Sequence, residues 1–416
     1  MNLFNHQKVI VDEDPKQSGI WLGTGGGKTR IALMLAEGKT LVICPKTQKL
    51  DGNWMREWTI LRQEDLGPRA IEVVSKEEFR RDHEMLKRFD TVIVDEAETC
   101  LGVTPNTRQR NRQTIPKASQ LFEALQTFLA RTRPDRLYLC TATITRSPMT
   151  VWGAGKLLGK QWDFYKWRQA FYTRLPMPGR EVWSPKTDSA TKDRLADAVR
   201  QIGYVGRLSD WFDVPPQTFR DVHVELSAEQ KKRIKEMTLE FPDPIVRIGK
   251  RHQVENGSLR GDEYSEPEFF KNGKLEKVLD LALEFPKMVV FAKYTEQIRQ
   301  MGVELTMAGY KVLTLTGATK DRESLFKEAN ASEACIVIAQ AQISAGWELP
   351  DFPCMVFASR TYSIADYEQS LGRIQRVNNI KKNLYINLIA KGGVDEAVHK
   401  ALENKKDFSE RVYAGI

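Results

Sequence analysis

Apolar residues along the chain gather into short unbroken runs rather than alternating ones. TLVICP (40–45), AIEVVS (70–75), DTVIVDE (90–96) and RLYLCTAT (136–143) form one set. MVVFAKY (288–294), KVLTLTG (311–317), CIVIAQA (335–341), CMVFAS (354–359) and LYINLIA (384–390) form a second. A short run rich in Val, Ile and Leu with no polar alternation reads as a strand buried on both faces, as in a parallel sheet covered by helices. Between the runs lie stretches with helical spacing, such as TRIALMLAEG (29–38) and SQLFEALQTFLARTR (119–133). Strand followed by helix, repeated, predicts an α/β fold with doubly wound parallel sheets.

The interval from 150 to 285 lacks strong strand runs and holds turn clusters at PMPGR (176–180) and DVPPQ (213–217), which places a domain junction there. The expected domains are 1–214 and 215–416. A chain of 416 residues also exceeds the roughly 250–300 at which one hydrophobic core stops growing. Residues 241–273 are polar and turn-rich enough to form an irregular insertion. The aromatic stretch QWDFYKWRQAFYTR (161–174) could stack on bases, but its spacing favours packing a helix into a core.

Composition narrows the classes. With 41% hydrophobic and 28% charged residues the chain is too apolar for a disordered segment. A net charge of +8 favours a polyanionic partner. The five cysteines (Cys44, Cys100, Cys140, Cys335, Cys354) form no CxxC pair and read as buried reduced thiols, and the five histidines show no metal-ligand spacing. There is no charged-then-apolar leader and no apolar run near the roughly 20 residues that span a bilayer, so an intracellular, cytoplasmic protein is expected.

Chemistry concentrates at two places in the first half. WLGTGGGKTR (21–30) follows a short apolar entry and opens a helix, the strand–loop–helix setting of a phosphate-cradling loop. There Gly25, Gly26 and Gly27 would let backbone N–H groups turn toward phosphates, Lys28 would reach the β- and γ-phosphates, and Thr29 would ligate Mg²⁺. Leu22 stands where the strict pattern has glycine. DTVIVDEAET (90–99) ends an apolar strand in two adjacent acids at the carboxyl edge of a sheet, and resembles a Walker B motif of the DEAx type. That resemblance implies that Asp95 holds Mg²⁺ and that Glu96 orients and deprotonates the attacking water.

Further segments resemble superfamily 2 helicases in order. Phe4-Asn5-His6-Gln7 is similar to the glutamine motif, which implies that Gln7 reads adenine, and TAT (141–143) is similar to motif III. AQISAGWELP (341–350) resembles motif V, with Ser344 and Gly346 on the nucleic-acid side and Trp347 where many relatives have a small residue. ADYEQSLGRIQRVNN (365–379) carries Gln369, Gly372, Arg373 and Arg376 in the QxxGRxxR spacing of motif VI. Arg373 lies too far along the chain from Asp95 to share one ordinary domain, so it is expected to enter the nucleotide site from the other lobe. CPKTQKLDGNWMREW (44–58), with Trp54 and Glu57, together with 141–159, 221–230 and 376–398, is similar to SNF2-type motors. TAT for the usual TGT, Asn379 for the familiar Gln and the lack of flanking accessory domains mark a minimal motor, as in phage or bacterial relatives.

The resemblance implies two tandem RecA-like domains with an ATP cleft between them, ATP and Mg²⁺ as cofactors, and ATP-driven movement on DNA, 3′ to 5′ on the tracked strand. Duplex or branched DNA bound without sequence readout is the implied partner, with RNA a weaker alternative, and the motor is expected to be a monomer. A nucleotide-gated DNA clamp is the alternative from another class. Residues 99–122 contain Arg108, Arg110, Arg112 and Lys117 but no Asp or Glu, a composition that suits phosphate contact as well as a solvated loop.

Overall fold

The apolar runs of the first half, with the short apolar entry to the glycine loop, become strands of a parallel sheet. In the computed structural model, which describes residues 3–110, 113–175, 181–212, 217–261, 265–343, 347, 349–374 and 383–404, they are β1 (Gln17–Leu22), β2 (Lys39–Cys44), β3 (Ala70–Ser75), β4 (Thr91–Asp95) and β7 (Arg136–Cys140). Two antiparallel pairs lie outside that sheet, β5 (Val103–Arg110) with β6 (Gln113–Ala118) and β8 (Tyr172–Leu175) with β9 (Val182–Pro185). β10 (Gly203–Gly206) completes a six-stranded sheet of order β10-β1-β7-β4-β2-β3. Every residue of β4 and β7 is buried, because helices cover both faces. Trp21, Leu41, Val92 and Leu139 pack on one face with the helix Gln120–Thr132, and Ile20, Val42, Ile93 and Tyr138 on the other with the helix Lys28–Leu35.

The second set of runs repeats the plan. β11 (Thr218–Val224) is followed by a short pair, β12 (Ser258–Leu259) and β13 (Glu268–Phe269), and then by β14 (Lys287–Ala292), β15 (Val312–Leu315), β16 (Cys335–Gln340), β17 (Cys354–Phe357) and β18 (Leu384–Ala390). The parallel sheet has order β11-β18-β17-β14-β16-β15. The chain divides into two compact units, Met1–Phe212 and Asp213–Ile416, with one sheet in each.

Three expectations are corrected. The interval 150–285 is not poor in strands: it supplies β10 and β11, each an edge strand of one sheet. An edge strand has one exposed flank, and five of the seven residues of β11 are exposed, so no apolar run marks it. Residues 241–273 are no irregular insertion either. They hold the helix Pro244–Glu255, started by Pro244 at its first turn and by Asp243 Oδ1, which accepts from the amides of Ile245 (2.7 Å) and Val246 (3.3 Å), and then the β12–β13 pair. The basic segment after β4 is not a loop but the β5–β6 hairpin.

The aromatic stretch packs, as its spacing suggests. Trp167 stacks on Trp162 with ring centroids 4.6 Å apart, and Phe164, Trp167 and Phe171 are buried along the helix Phe164–Phe171. All five cysteines are free and buried. No helix among the described residues is long and apolar enough to cross a membrane.

Candidate functional site

β1 ends at Leu22, and a glycine loop carries the chain into the helix Lys28–Leu35. Gly25 (φ 81°) and Gly27 (φ 78°) hold left-handed conformations that a β-carbon strains. A β-carbon at Gly27 would also fall 2.1 Å from Gln7 Nε2. The amides that open the helix lack intrahelical acceptors, so the loop and the helix N-terminus together present donors and a positive dipole end to an anion. Lys28 Nζ donates to the carbonyls of Leu22 (2.9 Å) and Gly23 (3.3 Å), which holds the ammonium group against the loop. Thr29 sits half-buried in the first turn. Gln7 is buried; its Oε1 accepts from the Phe4 amide at 3.1 Å.

Across the sheet, β4 delivers Asp95 to the same carboxyl edge that β1 delivers the loop. Asp95 Oδ2 accepts from Trp54 Nε1 (3.1 Å) and Oδ1 from the Glu96 amide (2.9 Å). Trp54 and Glu57, three residues apart on the helix Asn53–Gln63, thus serve the two motifs separately: Trp54 holds Asp95, and Glu57 pairs with Arg30, beside Thr29. Burial pushes the Asp95 carboxyl up to about 6, the Glu96 charge adds to the rise, and Lys76 and Lys28 oppose it.

Glu96 has φ 45° and ψ 50°, a left-handed backbone that costs a residue with a side chain about 1 kcal/mol or more. The conformation is held from the carbonyl side, where Glu96 O accepts from Lys76 Nζ at 2.8 Å; the same ammonium donates to Thr99 Oγ1 at 2.6 Å.

Glu98, unremarked in the sequence, is 6% exposed, and its Oε2 has no hydrogen-bond partner among the described residues. Burial, and then the charge of Glu96, push it up to about 7, while the hydroxyl of Thr141, from TAT, donates to it and pulls the other way. The 3₁₀ turn Ala97–Thr99 that follows β4 and the TAT segment therefore touch through Glu98. Lys76 and Glu98 carry no motif spacing that sequence reading could have used.

In the second unit Arg373 is 7% exposed. Its Nε donates to the Gln369 carbonyl (3.1 Å) and its Nη1 to the Trp347 carbonyl (2.9 Å). The guanidinium thus braces the segment around Trp347. The Trp347 indole lies in the core, stacked on Phe326 (5.5 Å) and Phe291 (5.8 Å). Arg376, Ser344 and Gly346 lie outside the described residues.

Two charged clusters in this unit also escaped the sequence. Lys274, fully buried, donates to Asp395 Oδ2 (2.7 Å), Asn256 Oδ1 (2.7 Å) and the Ala358 carbonyl (2.8 Å). His252 Nε2 lies 3.1 Å from Asp395 Oδ1, and its Nδ1 meets the hydroxyls of Tyr294 (2.8 Å) and Tyr362 (3.0 Å). His399 Nε2 lies 3.3 Å from Asp221 Oδ2 and 3.3 Å from Glu403 Oε1, a trio with metal-ligand chemistry that the dispersed histidines did not announce. Buried Arg360 places a positive charge beside it, which offsets the two carboxylates.

Of the three arginines expected to meet phosphates, Arg108 forms an ion pair with Glu123, the first acid beyond the basic segment. The side chain of Arg110 and all of Arg112 lie outside the description, and Lys117 is exposed on β6.

Residues 271–378 match the family model for the helicase conserved C-terminal domain. No curated protein matches the chain in sequence. Among solved structures, the Hef helicase domain of Pyrococcus furiosus is similar over 96% of this chain and 98% of its own, with 15% identity and a TM-score of 0.50. The SWI2/SNF2 ATPase core of Sulfolobus solfataricus in complex with dsDNA is similar over 97% of this chain and 91% of its own, at 16% identity and a TM-score of 0.38. Residues 271–378 thus match a helicase C-terminal domain, and the chain has the fold of the Hef helicase domain, two RecA-like units with a six-stranded parallel sheet in each.

Proposed function

We propose that this chain is an ATP-hydrolysing motor that moves along DNA without reading its sequence. The observation that carries the proposal is the meeting, at one sheet edge, of the glycine loop with Lys28 and the buried, hydrogen-bonded Asp95 followed by Glu96. A loop of that kind binds a polyphosphate through backbone amides, and Lys28 leaves its carbonyl partners for the β- and γ-phosphates. Thr29 and Asp95 offer hard oxygen donors of the kind Mg²⁺ takes, and Asp95 is oriented for the task by Trp54 and the Glu96 amide. A Mg²⁺ ion held by Thr29 and Asp95 would supply positive charge to offset that of the phosphates. Glu96 accepts a proton from the water that attacks the γ-phosphorus as the bond to the ADP oxygen breaks.

Gln369 is a candidate nucleotide contact, and Arg373, expected as a finger into the nucleotide site, is assigned instead a positioning role, because its guanidinium donates to the Gln369 and Trp347 carbonyls. Arg376 is the group that stabilises charge on the transferring phosphoryl. Ser344, Gly346, Arg110 and Arg112 are the candidate phosphate contacts. The helicase C-terminal match and the net charge of +8 favour a nucleic-acid track.

The test is ATP turnover by the whole chain with single-stranded, duplex and branched DNA and with RNA, beside Lys28→Ala. Stimulation by DNA that Lys28→Ala abolishes is expected. Stimulation by RNA alone would make the track RNA, and DNA binding gated by ATP without turnover would make the chain a clamp.

A further inference from the structure

The helix Val394–Glu403 carries His399 and, one turn on, Glu403, and β11 brings Asp221 to the same place. The i, i+4 spacing puts the imidazole and the Glu403 carboxylate on one helical face. His399 Nε2 lies 3.3 Å from Asp221 Oδ2 and 3.3 Å from Glu403 Oε1, and the three atoms all fall within 4.8 Å of one another. Each separation from Nε2 exceeds the roughly 2.7–3.2 Å of an N–H···O hydrogen bond. Both match the about 3.3–3.4 Å between neighbouring ligands on a tetrahedron whose zinc bonds are about 2.0–2.1 Å long. A single ring proton can serve only one of the two carboxylates, whereas a cation between them serves all three atoms.

The trio is supported from behind. Asp221 and Asn387 are directly opposite in the β11–β18 register, and Asn387 Nδ2 donates to Asp221 Oδ1 at 2.6 Å, which leaves Oδ2 facing the imidazole. A hydrogen bond of that kind orients a ligating carboxylate. His399 is buried, and that burial, with the charge of Arg360, pushes its imidazole down, so at pH 7 the ring is neutral and has a lone pair to give. The side chains of Asp221 and Glu403 are 36% and 57% exposed, so the trio opens to solvent and an ion can reach it. Arg360 selects the kind of ion. Its buried charge acts on both carboxylates and leaves the cluster a single net negative charge. Mg²⁺ and Ca²⁺, which depend on the count of charged oxygens, gain little from that, whereas Zn²⁺, Co²⁺ and Ni²⁺ gain a bond to nitrogen. The Nδ1 of the same ring has no hydrogen-bond partner among the described residues, so nothing behind it strengthens the imidazole as a ligand, and the site is one of modest affinity.

We propose that Asp221, His399 and Glu403 form a binding site for a divalent transition-metal ion of the zinc type, held by Asp221 Oδ2, His399 Nε2 and Glu403 Oε1 with water as the fourth ligand. The ion clips β11, the first strand of the second unit, to the helix Val394–Glu403, the last described element of the chain. It stabilises that unit by binding its folded form alone, since the three ligands converge only there. The proposal stands independently of the nucleotide reading, which concerns the first unit.

The experiment is titration of the whole chain with Co²⁺, followed by its visible absorption, then displacement by Zn²⁺, beside Asp221→Asn, His399→Gln and Glu403→Gln. The unaltered chain is expected to give the absorption of a protein-bound ion that Zn²⁺ displaces and an excess of Mg²⁺ does not. Each substitution should weaken that binding by about tenfold or more. Zn²⁺ at about ten times its dissociation constant should raise the unfolding midpoint of the second unit by about 3–6 °C in the unaltered chain, and by less in the variants. Equal binding by the unaltered chain and all three variants would place the ion elsewhere and overturn the proposal. Failure of the unaltered chain to bind Co²⁺ or Zn²⁺ also overturns it, and displacement by Mg²⁺ as readily as by Zn²⁺ overturns the class of ion. Glu403→Gln, at the exposed end of its helix, keeps the test valid should His399→Gln fold poorly.

Discussion

Glu98→Gln should change how the first unit responds to pH. The wild-type carboxyl is buried, and its value is raised from the ordinary 4.5 to about 7. A carboxyl with a raised folded value keeps a proton that the unfolded chain releases, so its contribution is full below about pH 4.5 and is lost as pH climbs through about 7. At about 1.36 kcal/mol per unit, that shift corresponds to a loss on the order of 3 kcal/mol by pH 8.5. Glutamine cannot ionise, still accepts from Thr141, and removes this slope, while Asp95 keeps a smaller one of the same sign because its value is also raised. The measurement is a urea series at pH 5.0, 7.0 and 8.5, read by hydrogen exchange in β4 and β7 so that this unit is followed separately. The variant should match wild type at pH 5.0 within about 1 kcal/mol and exceed it by on the order of 2 kcal/mol at pH 8.5. Parallel losses in the two proteins would refute the reasoning, because ionisation of Glu98 would then have no energetic weight.

Lys28→Ala and Glu96→Gln should each abolish turnover, but the Gln variant should still bind ATP, since Lys28 and Asp95 remain; measurable hydrolysis by either removes the site assignment. Arg376→Ala should lower turnover on the order of 10³-fold with little change in nucleotide affinity, and equal losses in both would assign it a structural part. Lys274→Met strands the buried Asp395 and should cost the second unit about 3–5 kcal/mol in denaturant titration. Because Asp395 is held well below the usual carboxylate range, the stability it brings is present above that range and lost only in strong acid, so a variant that loses nothing at pH 7 would contradict the pairing. Arg108→Gln should leave the salt dependence of DNA affinity unchanged, since its partner is Glu123; a slope smaller by roughly 0.7–0.9 would make it a phosphate contact after all.

The legible part of the fold was the part buried on both sides. β4, β7, β14, β16, β17 and β18 announce themselves because an inner strand covered by helices on both faces is mostly apolar, and the edge strands β3 and β15 are legible too because their sequences stay rich in Val, Ile and Leu. β10 and β11 do not, because edge strands keep a wet flank: Arg220, Asp221 and His223 interrupt TFRDVHV, and Gly203 and Gly206 thin out GYVG. The helix Pro244–Glu255 hid for the opposite reason. His252 and Glu255 are polar yet buried, paid for by hydrogen bonds to Tyr294, to Asp395 and to the amides of Val394 and Asp395, so its inner face does not read as apolar. At the site, spacing exposed the residues with fixed motif positions, among them Lys28, Thr29, Asp95 and Glu96. It could not expose Lys76 or Glu98, whose roles arise from contacts between segments distant in the sequence.

The placement of β10 and β11 has a mechanical side. β10 is the last strand of one sheet and β11 the first of the other, and the chain passes from one to the other within residues 207–217. Each is hydrogen-bonded along its length to a single parallel neighbour, β10 to β1 and β11 to β18 over seven residue pairs. Tension transmitted through 207–217 along the strand axes loads those bonds in shear, all at once, rather than peeling them one by one. A pull on the connecting chain meets Trp211 and Phe212, packed on His6, before it reaches β10, and β10 lies against β1, which ends in the phosphate loop.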